Sequence, residues 1–191
     1  DIMCRADGID TSALMADECP DMISFIGTSH VTCGRLRVHE SSGDTGREIE
    51  LSVVVMVPKD EKAAKRIPTV FLHGGPAVGI VDQWVSLESE IYVRDAPLIL
   101  FDQRGVGRSS PKLCPGIDEP TVASLDDPLA EAKRQVAACL KEATTAHADI
   151  GAYGTDATVQ DMETIRKALH IDAWNVMGVS YGTTVALAYI S

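Results

Sequence analysis

Three short apolar runs, separated by longer polar or helix-compatible stretches, constrain most strongly what this chain can fold into. They are Thr69–Leu72, Leu98–Phe101 and Trp174–Met177. Short, nearly continuous apolar segments are typical of strands that are buried on both faces, as in a parallel sheet. Parallel strands need crossover connections, which are usually helices. The pattern therefore predicts an α/β fold with a mostly parallel sheet.

Two helices are predicted in the crossover before the third run. Pro128 suits the first position of a helix, and apolar residues then recur at helical spacing over about 128–146, namely Leu129, Ala132, Val136 and Leu140. A second helix begins near Thr155 or Asp156, either of which can cap it. Its buried face is predicted to contain Val159, Met162, Leu169 and the stem of Arg166.

The first part of the chain shows no sustained period. Residues 1–34 are predicted to form an irregular N-terminal segment, and residues 35–191 the N-terminal part of a core domain. From Leu36 apolar and polar residues alternate, a turn-forming stretch follows at 41–46, and a continuous apolar stretch ends at Pro58. This pattern predicts an antiparallel hairpin on the N-terminal side of the sheet.

The charge of the chain argues against nucleic acid as a partner. The sequence has 28 Asp and Glu against 17 Lys and Arg, a net charge of -11, which is the wrong sign for phosphate backbones or anionic membranes. The apolar run Val53–Val57 has five residues and the run Val185–Ile190 has six, whereas a membrane-spanning helix needs about 20. We expect one globular domain without a membrane span.

The cysteines do not predict a metal site. They lie at positions 4, 19, 33, 114 and 139, without a Cys-x-x-Cys pair or zinc-type spacing. His30 and Cys33 are better explained as a loop histidine and a paired or buried cysteine than as metal ligands. An odd count leaves at least one cysteine without a partner inside this chain, and both free buried thiols and disulfides fit the pattern.

The most specific motif is Gly178-Val179-Ser180-Tyr181-Gly182, which follows a predicted strand and precedes an apolar, helix-compatible stretch. This context predicts a nucleophile elbow, a sharp strand-to-helix turn that projects a serine hydroxyl above the sheet. Glycines two residues on either side leave room for the neighbouring backbone. The alternative is an ordinary glycine-rich turn, in which Ser180 has no chemical role.

A second motif, His73-Gly74-Gly75-Pro76, lies at the end of another predicted strand, where ligand sites of open parallel sheets collect. The N–H of Gly74 or Gly75, together with that of Tyr181, could bind the oxyanion of a tetrahedral acyl intermediate. His73 is interpreted as a support for this loop and not as the general base, because hydrolases of this topology place their histidine after the serine.

The third motif runs from Asp102 to Ser109 with the sequence Asp-Gln-Arg-Gly-Val-Gly-Arg-Ser. A dinucleotide-binding interpretation fails, because Ser110 stands where a third glycine would be and Pro111 follows it. Asp102 and Arg104 are instead predicted to form a buried, paired turn beside the oxyanion loop, since an unpaired charge there would be costly.

In this order and spacing, the three motifs resemble the proline iminopeptidase and tripeptidyl aminopeptidase branch of the α/β-hydrolases. The family pattern has a glycine after the proline of the first motif, whereas this chain has Ala77, with Gly79 two residues further on. The oxyanion loop and the substrate preference are therefore expected to differ. The stretches Cys33–Val38 and Tyr153–Arg166 also resemble the secreted tripeptidyl aminopeptidase-like subgroup, so the resemblance covers most of residues 19–191.

The resemblance implies an α/β-hydrolase fold and an exported enzyme, secreted or periplasmic. Ser180 would be the acylated nucleophile, with Gly74 or Gly75 and Tyr181 as oxyanion donors. The implied disulfides are Cys19–Cys33 and Cys114–Cys139, which leaves Cys4 over. The implied reaction releases an N-terminal residue or short peptide from a peptide substrate through an acyl-enzyme, and no cofactor is expected. An esterase of the same fold and a non-catalytic hydrolase-like module are the alternatives.

A complete catalytic triad is not expected within these residues. In this fold the acid and the histidine follow the serine, yet Tyr181–Ser191 contains no Asp, Glu or His. The sequence also stops inside an apolar helical pattern. We therefore expect the N-terminal part of a larger hydrolase, whose C-terminal part is its partner, and little activity without that part. Because the N-terminus, Asp1, has neither an initiator Met nor a signal sequence, export is neither shown nor ruled out, and a cytoplasmic location is also open.

Overall fold

Six β-strands form one open, mixed sheet in the residues that the structure, a computed structural model, describes: 9–20, 27–41, 46–75, 78–88, 94–113 and 128–191. In chain order the strands are β1 (Met15–Ala16), β2 (Ser29–His39), β3 (Glu48–Pro58), β4 (Thr69–Leu72), β5 (Leu98–Phe101) and β6 (Asn175–Gly178). Their order across the sheet is β1-β2-β3-β5-β4-β6. The predicted α/β-hydrolase sheet is confirmed.

The helices connect and flank these strands. They are α1 (Glu61–Ala64), α2 (Trp84–Glu88), α3 (Pro128–Thr145), α4 (Thr155–Ala168) and α5 (Tyr181–Ile190), with short 3-10 turns at Val81–Gln83 and Ile150–Ala152. The helix predicted over 128–146 therefore corresponds to α3. In the described part of the chain, no helix combines the length and the apolar character needed to cross a membrane.

The predicted N-terminal hairpin is confirmed, but it is longer than expected. Strands β2 and β3 pair antiparallel along their whole length, from Ser29 opposite Pro58 to His39 opposite Glu48. Both β1 and the first half of β2 thus lie in the segment that was expected to be irregular. Their own sequences lack alternation, and pairing with the apolar strand β3 imposes the extended conformation on β2.

The three short apolar runs form the parallel part of the sheet, as predicted. Strand β4 pairs in parallel with β5 on one side and with β6 on the other. Leu72, the last residue of β4, lies opposite Gly178, the last residue of β6. Because the carboxyl ends of parallel strands lie at one edge of the sheet, the loops that follow these strands are brought together there.

Side chains of β3 alternate between two clusters on opposite faces of the sheet. Val53 packs with Met162 of α4 on one face, and Val54 packs with Trp84 of α2 on the other. Successive residues of a strand point to opposite faces. The continuous apolar run Val53–Val57 therefore fills both clusters.

Helix α4 begins at Thr155, as predicted, and buries the predicted face, but its capping residue differs. Met162 and Leu169 are fully buried. The N-cap is Gly154, which makes no side-chain capping bond, so the predicted cap at Thr155 or Asp156 is wrong. The hydroxyl of Thr155 instead lies 2.8 Å from the phenol oxygen of Tyr181.

The apolar positions predicted for the buried face of helix α3 are exposed. Its predicted apolar positions Leu129, Val136 and Leu140 are 65%, 56% and 49% exposed. Near the end of the helix Ala143 is buried, and Arg47 donates to the carbonyl of Ala146, which follows the helix, at 2.5 Å. The helical spacing thus predicted the element correctly but not which surface it covers.

The predicted disulfide Cys19–Cys33 is confirmed. Cys139 is disulfide-bonded as well. Cys114, its expected partner, and Cys4, the expected leftover, both lie outside the described residues. The pairing Cys114–Cys139 therefore stays a prediction.

Candidate active site

All three sequence motifs lie at one edge of the sheet, where the parallel strands end. His73 follows β4, Asp102 follows β5, and Val179 and Ser180 follow β6. Pro76 and Ala77 lie outside the described residues. The parallel register of the strands, rather than closeness in sequence, brings the motifs together.

Ser180 occupies the sharp strand-to-helix corner that the motif predicts. Its backbone angles are φ 53° and ψ −121°, in the left-handed half of conformational space that non-glycine residues seldom adopt. Strained residues of this kind persist only where the surrounding structure fixes them, and they cluster at functional sites.

The two flanking glycines explain how this turn is possible. A β-carbon at Gly178 would lie 2.5 Å from the carbonyl oxygen of Gly182, and a β-carbon at Gly182 would collide with the carbonyl oxygen of Leu72. Real β-carbons do not approach backbone atoms so closely. The predicted need for glycine two residues on either side of Ser180 is confirmed.

The side chain of Ser180 lies beside the loop after β4. A β-carbon at Gly74 would lie 2.9 Å from the Ser180 β-carbon and 3.4 Å from its Oγ, while Ser180 itself is exposed. Gly75 has φ 125°, a conformation that favours glycine. The structure thus brings Ser180 and Gly74 of the second motif together.

The backbone N–H groups after Ser180 open helix α5. Those of Gly182 and Thr183 donate to the carbonyls of Val179 and Ser180 at 2.8 and 2.9 Å. The N–H of Tyr181 has no acceptor in the described part of the chain, as is usual for a first helical residue. Such a group is available to an anion at a helix N-terminus.

His73 lies half-buried under the glycine loop. Its Nδ1 is 3.1 Å from the carbonyl oxygen of Gly74, and its ring lies 6.5 Å, centroid to centroid, from that of Phe71. These contacts suit the supporting role that the sequence predicts for it.

Asp102 and Arg104 are both buried, as expected, but the predicted pairing between them is wrong. The Asp102 carboxylate accepts from the backbone N–H groups of Ile80, Val81 and Arg108 at 2.6, 3.0 and 2.7 Å. Burial raises the pKa of Asp102, although these three hydrogen bonds act in the opposite direction. Backbone donors from two loops therefore take the place of the expected cation.

Arg104 pairs with Asp161 of helix α4. Its Nε and Nη2 donate to the two oxygens of that carboxylate at 2.8 and 2.6 Å. Its Nη1 also donates to the carbonyls of Glu40 and Ala152, at 2.6 and 2.8 Å. The guanidinium thus joins the loop after β2, the loop after β5 and α4 in one buried network.

Asp161 is a site residue that was not predicted, although its spacing from Thr158 and Ile165 places it on their face of the helix. Asp161 lies three residues after Thr158 and four before Ile165, and all three are buried. A carboxylate on the buried face of a helix requires a hydrogen-bonded cation, and Arg104 was a buried cation in need of a partner.

Comparisons with known proteins agree with this architecture. Residues 68–191 match the family described as alpha/beta hydrolase fold. The proline iminopeptidase of Xanthomonas citri is 33% identical over 122 residues, which are 64% of this chain and 27% of that protein. The proline iminopeptidase of Arabidopsis thaliana is 34% identical over 122 residues, 64% of this chain and 22% of that protein. The chain thus spans about a quarter of the length of these relatives.

A solved structure also aligns with the chain. The crystal structure of the proline iminopeptidase-related protein from Thermus thermophilus is 21% identical in sequence, with a TM-score of 0.49. The alignment covers 84% of this chain and 40% of that protein's chain. The predicted resemblance to proline iminopeptidases is confirmed by the sequence relatives, and the predicted α/β-hydrolase fold by the family match. With residues 68–191 matching the family and the strand order in place, the chain belongs to the alpha/beta hydrolase fold family.

Proposed function

We propose that this chain carries the nucleophile, Ser180, and the oxyanion-binding amides of a serine hydrolase that releases N-terminal residues or short peptides from peptide substrates. The observation that carries the proposal is the strained corner at Ser180, with φ 53° and its Oγ beside Gly74. The relatives named proline iminopeptidase support a peptidase that acts at the N-terminus of its substrate.

The chemistry begins with attack of the Ser180 Oγ on the carbonyl carbon of the scissile peptide bond. The hydroxyl proton passes to a general base, and then to the leaving amine as the carbon–nitrogen bond breaks. The product is an acyl-enzyme on Ser180. Water, deprotonated by the same base, then cleaves the ester and regenerates the hydroxyl.

The amides near Ser180 stabilise the negative charge that develops on the substrate oxygen. The candidate donors are the N–H of Tyr181 at the start of α5 and the N–H of Gly74 or Gly75. Gly74 lies against the serine side chain, which suits the short distance an oxyanion needs to both donors. Removing one such donor in a hydrolase typically costs about 3–4 kcal/mol of transition-state stabilisation.

The general base and its acid partner come from polypeptide outside these 191 residues. Two unpartnered surfaces support this part of the proposal. β6 ends the strand order, so its outer edge pairs with no strand in the described ranges. Beside it, Leu187 and Ile190 of α5 are 64% and 70% exposed. The C-terminal part of the hydrolase packs on these surfaces, and residues 1–191 alone have little activity.

The protein is exported to the cell exterior or the periplasm. Disulfides persist in oxidising compartments, and the Cys19–Cys33 disulfide is the observation that supports this location.

A substrate panel tests the activity. The native protein carrying this chain is assayed with aminoacyl and tripeptidyl chromogenic amides and with short acyl esters. We expect turnover of the amides, lost in Ser180→Ala and kept in Ser191→Ala, a matched exposed serine at the end of the same helix. If only the esters are turned over, the proposed peptidase activity is wrong and the protein is an esterase.

A complementation assay tests whether the catalytic residues are divided between residues 1–191 and the rest of the polypeptide. Residues 1–191 are assayed alone and after mixing with the rest of the native polypeptide. We expect activity only in the mixture. Robust turnover by residues 1–191 alone would contradict the proposed outside origin of the base.

A further inference from the structure

The buried carboxylate of Asp102 holds two loops at the edge of the sheet. Asp102 is 2% exposed. Its Oδ1 accepts from the N–H groups of Ile80 and Val81, which follow the glycine loop after β4. Its Oδ2 accepts from the N–H of Arg108, in the loop after β5. One side chain therefore fixes both loops relative to each other.

Glycines allow the backbone of both loops to reach this carboxylate. A β-carbon at Gly79 would lie 2.8 Å from the Gly107 α-carbon and 3.1 Å from the Asp102 Oδ1. A β-carbon at Gly107, where φ is 57°, would collide with the carboxylate itself. The close fit leaves no space for a side chain at either glycine.

The backbone of Asp102 is fixed to the sheet. Its N–H donates to the carbonyl of Ser52 in β3 at 3.0 Å. Its carbonyl accepts from the Ser109 hydroxyl at 2.6 Å, and that hydroxyl in turn accepts from the Ser52 N–H at 3.0 Å. The carboxylate thus extends from a rigid position.

The loop that contains Gly74 and Gly75 is consequently held at both ends. At one end, Leu72 of β4 pairs with Gly178, beside the serine turn. At the other end, the N–H groups of Ile80 and Val81 bind Asp102. Errors of about 1 Å in such a site can cost about 10²-fold in rate.

We propose that Asp102 is a positioning residue for oxyanion stabilisation: its carboxylate fixes the far end of the glycine loop and so sets where the loop amides point relative to Ser180. This inference rests on the proposed function. The inference goes beyond the proposed function because it assigns the geometry of the oxyanion site to a residue that touches neither substrate nor serine.

The test compares Asp102→Ala and Asp102→Asn in the native protein. The alanine removes all three acceptor contacts. The asparagine keeps an oxygen for Ile80 and Val81, while its amide group faces the N–H of Arg108. We expect kcat to fall about 10²-fold in Asp102→Ala and less in Asp102→Asn, with KM changed less than about threefold.

The affinity for a peptide aldehyde is a second measurement, and a loss of protein stability alone does not change it. The aldehyde forms a tetrahedral adduct with the serine, so the affinity of the Asp102 variants for it should fall in the same proportion as kcat. Their affinity for the product peptide that carries the new amino terminus should not fall. If Asp102→Ala does not fold, Asp102→Asn decides the question at a temperature where unfolding measurements show it to be folded.

The matched control is Asp60→Ala. Asp60 also accepts two backbone N–H groups, those of Lys62 and Ala63 at the start of α1. It follows β3 at the opposite edge of the sheet, so kcat should stay within about twofold. If both Asp102 variants keep the wild-type kcat and the wild-type affinity for the aldehyde, the inference about Asp102 is overturned, while the proposed function stands. Turnover that survives Ser180→Ala would instead overturn the proposed function.

Discussion

The α-carbon of Gly182 packs directly against the carbonyl oxygen of Leu72, with no space for a side chain between them. Leu72 ends β4, and Gly182 lies in the first turn of α5. This contact sets the N-terminus of α5 onto the end of the neighbouring strand. It thereby places Ser180 beside Gly74.

Gly182→Ala should therefore damage the serine turn. The added methyl group meets backbone, which cannot rotate away, so we expect a loss of about 2–3 kcal/mol in the free energy of unfolding. Denaturant unfolding of the native protein measures it. Gly154→Ala is the control, because a β-carbon there has nothing within 4 Å. Equal stability of the two variants would contradict the close packing.

The backbone strain at Ser180 should be measurable as a difference in the free energy of unfolding between variants at this position. A glycine accepts φ 53° without steric cost, whereas serine and alanine do not. We expect Ser180→Gly to be more stable than Ser180→Ala by about 1 kcal/mol, with both variants inactive. Thermal and denaturant unfolding compare them. An alanine variant as stable as the glycine variant would show that the corner is unstrained.

The fold followed from the sequence wherever one segment carried its own signal. Apolar runs marked β4 and β5, helical spacing marked α3, and the Gly-x-Ser-x-Gly pattern after a strand marked the turn at Ser180. Each depends on residues within a few positions of one another.

Features that depend on distant partners were not predictable in this way. Strand β2 is extended up to Ser29 because β3 pairs with it. Arg104 binds Asp161, 57 residues further on, and Asp102 binds backbone amides of two separate loops. Helical spacing can place Asp161 on a buried face, but no local pattern says which distant group such a residue binds, and a buried charge indicates only that some partner exists.

The buried pair of Arg104 and Asp161 predicts a strong effect on stability. Asp161→Ala leaves a buried guanidinium without its carboxylate, so we expect a loss of about 3–5 kcal/mol in the free energy of unfolding. The double variant Arg104→Met with Asp161→Leu removes both charges and should recover much of that loss. If the double variant loses the sum of the two single effects, the pair is not coupled.

Glu163 should make stability depend on acid pH. Hydrogen bonds from Arg166, and next from Tyr189, lower the pKa of Glu163 from 4.5 to about 2. The folded state therefore holds this carboxylate ionised where the unfolded state is protonated. The stabilisation is complete above pH 4.5 and is lost as the pH falls to about 2.

Denaturant unfolding at several pH values checks this prediction. Glu163→Gln should flatten the acid slope of stability, whereas Glu48→Gln, an exposed glutamate on β3, should leave most of it. An unchanged slope in Glu163→Gln would contradict a lowered pKa at that residue.

The most direct measurement of the central claim is the site of reaction with a fluorophosphonate. The native protein is treated with the probe, digested, and mapped by mass spectrometry. We predict one modified residue, Ser180, and no modification in Ser180→Ala. An intact protein that stays unmodified, or one modified at another serine, would contradict the assignment of Ser180 as the nucleophile.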